Sequence, residues 1–84
     1  MEDPFILTVD YMGASSNFTA WLLLQGFTHK IKVRIDDREV FFEPDDQGGY
    51  RAVRMAWQEQ KDMEKIDKHL LSLIAQKIQD VTSG

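Results

Sequence analysis

The side chains able to do chemistry fall into four groups. The first is acidic. Asp36, Asp37, Glu39, Glu43, Asp45 and Asp46 stand against Arg38 alone in their stretch. Carboxylate oxygens ligate hard cations, but a calcium loop needs acidic or amide residues at alternating positions around a glycine. Asp45-Asp46-Gln47-Gly48 is too compressed for that pattern. The plainer reading is a solvated turn and an edge strand guarded by charge. The second group is His29 and His69, neither in an H-x-x-x-H or comparable spacing. Both are expected at the surface. Third, Gly48-Gly49 lacks the lysine and threonine of a phosphate loop, and no serine sits in G-x-S-x-G. That pair reads as a turn. There is no cysteine, which removes disulfides, thiolate zinc sites and cysteine nucleophiles. A metal-dependent enzyme is the least supported function. The chain is expected to be non-enzymatic, with no catalytic residue, metal or cofactor.

The fourth group is basic. Lys30, Lys32 and Arg34 form a stripe, with Arg51 and Arg54 as possible neighbours. A basic sheet face with aromatics, here Phe41 and Trp21, can grip single-stranded nucleic acid. The net charge of −4 opposes this, and no Lys/Arg-Gly-Phe-type RNA motif is present. The competing reading pairs the stripe across to Glu39 and Glu43 on the next strand.

The elements that must position these groups follow from a change of rhythm. From Phe5 to about Met55 apolar residues tend to alternate, as in half-buried strands; from Asp62 to Val81 they recur every third or fourth position, as on one face of a helix. Phe5–Tyr11 is the first strand, Gly13–Asn17 a cluster of turn residues, and about Phe18 to Gln25 the second strand, ended by Gly26. Ile31, Val33 and Ile35 alternate with Lys30, Lys32 and Arg34 in the third. Asp36-Asp37 reads as a tight hairpin turn, because aspartate tolerates positive φ. Arg38 to Glu43 is the fourth strand, stopped by Pro44. Tyr50 to Met55 is a fifth strand or an early helical turn. The helical stripe is Met63, Ile66, Leu70, Leu73, Ile74, Ile78 and Val81, with either Asp62 as the cap or Gln60-Lys61 already helical, and Glu64–Lys68 as an i,i+4 pair. The expected fold is α+β: an antiparallel meander of four or five strands over about 5–55, with one C-terminal helix over about 62–81 packed on a face. The expected core is that stripe with Phe5, Leu7, Val9, Ile31, Val33 and Ile35.

With 84 residues the chain is read as a single domain, 1–84. Its 43% hydrophobic and 29% charged residues are ordinary for a globular domain and argue against disorder. The acidic start Met1-Glu2-Asp3-Pro4 lacks a signal-peptide pattern, and the longest apolar run, Ala20 to Leu24, is far too short to span a bilayer. A soluble cytoplasmic protein is expected.

Size then bears on partners. A helix about 10–12 Å across covers roughly half the width of four or five strands at about 4.8 Å spacing. In the second strand Phe18, Ala20, Leu22 and Leu24 make one apolar row, while Trp21 and Leu23 stand on the other. A strand apolar on both faces is usually covered on both. The missing cover must come from the Met55–Trp57 segment, from curling of the sheet, or from another protein. Trp21, Leu23 and Phe41 are the candidate interaction surface, and a homodimer or another protein is the expected partner. Lys30, Lys32 and Arg34 are the nucleic-acid alternative.

The stretch Lys30-Ile31-Lys32-Val33-Arg34-Ile35-Asp36-Asp37-Arg38-Glu39-Val40-Phe41-Phe42-Glu43-Pro44-Asp45, with Gly49-Tyr50-Arg51-Ala52 and Leu70-Leu71-Ser72-Leu73-Ile74-Ala75, resembles a family of short uncharacterised bacterial proteins. The resemblance covers most of the chain and implies a small bacterial cytoplasmic domain. It implies no activity, because none is attached to the family.

Overall fold

A computed structural model describes residues 4–55, 58, 61 and 64–82. Five strands, β1 (Phe5–Tyr11), β2 (Ala14–Gln25), β3 (Thr28–Ile35), β4 (Arg38–Pro44) and β5 (Tyr50–Val53), are followed by a helix, α1 (Lys68–Thr82). The strands pair in chain order, every pair antiparallel, so the sheet is a simple meander. The fold is α+β, as the two periodicities require.

Turn chemistry fixes the register. Met12 and Gly13 both have positive φ (52° and 79°), as do Asp36 and Asp37 (48° and 67°), so each pair makes a two-residue turn of type I′. At Gly26-Phe27 only the glycine is positive (61°), which is type II′. The β4–β5 loop is longer. There the Asp45 carboxylate accepts from the Gln47 and Gly49 amides, and Gly48 takes φ 84°. Two expectations need correction here. The turn cluster Gly13–Asn17 is only Met12-Gly13, and β2 starts at Ala14. Ser15 and Asn17 are strand residues whose short polar side chains bond across to Asp10 and Thr8. The fifth element is a strand, but it ends at Val53.

The alternating register sorts side chains onto two faces. Leu7, Val9, Ala20, Ile31, Val33, Ile35, Val40 and Phe42 lie on the inner face and join Ile66, Leu70, Ile74 and Ile78 in one core. Phe5 is half-buried, packed at the margin of that core. Val81 is 54% exposed, so the apolar stripe of the helix ends at Ile78.

The helical stretch is interrupted before α1: Lys61 and Glu64 are helical, whereas Lys65, Ile66 and Asp67 are not. Asp67 is the cap: its Oδ1 accepts from the His69 amide, and its carbonyl accepts from the Leu71 amide. That local bond competes with continued helix at Asp67, although Ile66 still reaches the core. Glu64 therefore precedes α1, and Glu64–Lys68 is not a pair on its surface. The expected Asp62 cap and Met63 lie outside the described residues.

α1 does not run along a strand. Its first turn meets the end of β1, where the Tyr11 hydroxyl donates to Asp67. Its last turns reach the start of β5, where Gln79 comes within 3.4 Å of the Cβ position of Gly49. In a meander these are opposite ends of opposite edges, so the helix crosses the inner face diagonally. Fifteen residues span about 22 Å, against about 19 Å between the outermost strand axes. The diagonal thins the cover over one corner. Phe5 and Leu22 are half-buried there, and Leu24 is 65% exposed.

Candidate functional site

The outer face is the one α1 does not touch, and all three expected surface residues stand on it. The register brings Trp21, Lys32, Phe41 and Val53 into one row across four strands. Leu23 sits beside Trp21's row, opposite Lys30. Trp21, Leu23 and Val53 are half-buried, and Ile6 of β1 is 57% exposed on the same face. This alternation is the local reason the apolar run Ala20–Leu24 presents one half to each side.

Phe41 departs from expectation. It is only 6% exposed, so it is not available as a contact residue on an open surface. The chain after β5 is tied to the same strand. Gln58 accepts from the Met55 amide and donates to the Glu39 carbonyl, while Arg54 donates to the Gln58 carbonyl. These bonds tie Gln58 to β4 at Glu39, two residues from Phe41. Of the Met55–Trp57 segment, one of the three expected sources of cover for the outer face, Ala56 and Trp57 lie outside the described residues.

Two members of the basic stripe, Lys32 and Arg34, face carboxylates. Lys32 Nζ lies 3.4 Å from Glu39 Oε2 and 4.6 Å from the centroid of the Trp21 ring. It is held between an anion and the negative face of an indole. Arg34 pairs with Asp37 in the adjacent turn at 3.8 Å rather than with Glu39 across the ladder. Glu43 has a partner on β5: Arg51 donates to Glu43 Oε1 from Nε at 2.9 Å and from an Nη at 2.6 Å. The same carboxylate holds the Arg51 guanidinium even more firmly protonated than usual. Such exposed pairs stabilise little, with a median of about 0–1 kcal/mol. Their effect here is to neutralise the face locally, which limits its attraction for a phosphate backbone.

Two polar clusters lie elsewhere. At the start of α1 the Tyr11 hydroxyl, Asp67 carboxylate and His69 amide form a chain, with the Tyr11 and His69 rings 6.5 Å apart. The Tyr11 bond, seconded by the His69 amide, holds the Asp67 carboxyl below its ordinary range; the same bond to Asp67 pushes the Tyr11 phenol up. Asp67 before Lys-His-Leu-Leu is a cap signal legible in the sequence, but its tyrosine partner 56 residues away is not. At the other end His29 Nε2 and the Tyr50 hydroxyl are 2.8 Å apart, with rings edge-on at 5.9 Å. His29 is half-buried rather than a surface residue, because it shares the inner face with Ile31. Each cluster ties two elements together and is complete within itself. Among the described residues no three histidine, aspartate or glutamate side chains are placed to hold a metal ion.

Among the described residues no helix is long and apolar enough to cross a membrane. Comparison with protein-family models, with curated proteins and with solved structures finds no match to this chain.

Proposed function

We propose that this chain is a small non-enzymatic interaction domain, bacterial and cytoplasmic, that associates with a second copy of itself through the sheet face or edge α1 leaves open. One observation carries the reading. The buried residues of α1 pack on the inner face, yet the outer face still carries Trp21, Leu23 and Ile6 incompletely covered. An 84-residue core is small, and domains of this size without disulfides or metal often gain stability by association. The nucleic-acid alternative through Lys30, Lys32 and Arg34 has less support, because Lys32 and Arg34 already face carboxylates.

Light scattering over a concentration series tests the reading. The expected mass rises towards two chains. A mass of one chain at every concentration removes it.

A further inference from the structure

The open surface includes an edge as well as a face, and the two edges of this sheet differ. β5 has four residues and carries Arg51 locked to Glu43, so it is short and charged. β1 has seven residues, FILTVDY, with one charge, Asp10. Its seven residues pair one-to-one with β2, so no bulge twists it away. No other described strand pairs with it. A long, regular, apolar edge is the kind that accepts another strand.

Resting on the self-association proposed above, we infer that β1 is the pairing surface, and that it pairs antiparallel with β1 of a second copy about a two-fold axis at Thr8. The register follows from the hairpin. The two-residue turn at Met12-Gly13 closes on Tyr11 and Ala14, whose backbones bond each other. Alternation then directs the backbone groups of Val9, Leu7 and Phe5 towards β2 as well. The N–H and C=O groups of Ile6, Thr8 and Asp10 point to the free edge. Centring on Thr8 is the register that uses all of them in both copies: Thr8 opposite Thr8, Ile6 opposite Asp10. Centring two residues earlier would engage Pro4, which has no amide to donate. Centring two residues later would carry Ile6 past the end of the partner strand.

The same register suits the side chains. Threonine opposite threonine is a favourable cross-strand pair, and no like charges face each other. On the inner face Leu7 meets Val9, and Phe5 meets Tyr11. This last pairing compensates for the diagonal helix. α1 starts over the Tyr11 end of β1 and leaves the Phe5 end thinly covered. The two-fold axis sets the covered end of one copy beside the bare end of the other. An isologous contact of this kind closes at two chains and leaves no further edge of the same type.

The test compares variants by light scattering and circular dichroism. Thr8→Lys puts two ammonium groups on the axis, and Thr8→Pro removes an outward amide, a change edges tolerate. Both are expected to run at the mass of one chain with the strand signal of the parent. Trp21→Ser with Leu23→Ser, on the outer face, is expected to keep the two-chain mass. If both Thr8 variants keep that mass while the Trp21/Leu23 variant loses it, the edge assignment falls and self-association through the face stands. If the parent is itself a single chain throughout, both ideas fall together.

Discussion

Ile74 is the residue on which the helix–sheet contact can be tested most sharply. It is fully buried at the middle of α1, against the sheet. Ile74→Ala removes the side chain beyond Cβ from a packed core, which typically costs about 2–5 kcal/mol through lost transfer energy and the cavity left behind. A chain of 84 residues has a total stability of roughly 4–13 kcal/mol at typical per-residue values. The substitution therefore consumes a large fraction of it. For a domain of this size 1 kcal/mol moves Tm by about 4–8 °C, so a loss near 3 kcal/mol lowers Tm by roughly 12–24 °C. Val81→Ala, in the last turn of the same helix and more than half exposed, is the internal control. It should stay within about 0.5 kcal/mol of the parent. Thermal and urea melts at one fixed protein concentration give both values, since association would otherwise shift them. An Ile74→Ala loss below about 1 kcal/mol, or a Val81→Ala loss equal to it, would refute the packing face assigned to α1.

Other consequences follow from local geometry. Because Asp67 is held below its ordinary range, the stability it adds is complete above the unfolded aspartate value and is lost as pH falls through the folded one. The Tyr11 phenol is raised, so its share is complete below the ordinary tyrosine value and is lost as pH climbs through the raised one. Tyr11→Phe should flatten both limbs of a Tm-against-pH curve; an unchanged acid limb would contradict the bond. Met12 is exposed and sits at φ 52°, where asparagine is far better suited, so Met12→Asn should raise stability by of order 1 kcal/mol in a urea melt. A drop would mean the turn is not type I′. Single-stranded oligonucleotides at low salt should show no shift with the parent protein; a salt-dependent shift abolished by Lys32→Glu with Arg34→Glu would revive the nucleic-acid reading.

Much of this was legible in the sequence where one physical signal acted alone. Ile31, Val33 and Ile35 alternate strictly with charges, and only one register buries them. Asp36-Asp37 announced its turn because few residues tolerate that backbone. Trp21 and Leu23 could be assigned to the outer face by counting from Leu22. Legibility failed where two signals competed. Ser15 and Asn17 carry loop chemistry, yet cross-strand bonds to β1 hold them in the ladder. The helical stripe runs unbroken through Ile66, but the Asp67 side chain stops the helix behind it. Phe41 is on the face α1 leaves bare, yet it is buried, and strand alternation carries no signal of that. Phe27 is wholly exposed because a type II′ turn needs glycine first and accepts a bulky residue second.

Residue-resolved amide exchange at high and low protein concentration tests the central claim most directly, that a second copy closes the sheet at β1. The account predicts that the outward amides of Ile6, Thr8 and Asp10 are protected at high concentration and exchange freely on dilution, while those of Leu7 and Val9, bonded to β2, stay protected at both. Free exchange of the outward amides at every concentration would contradict it.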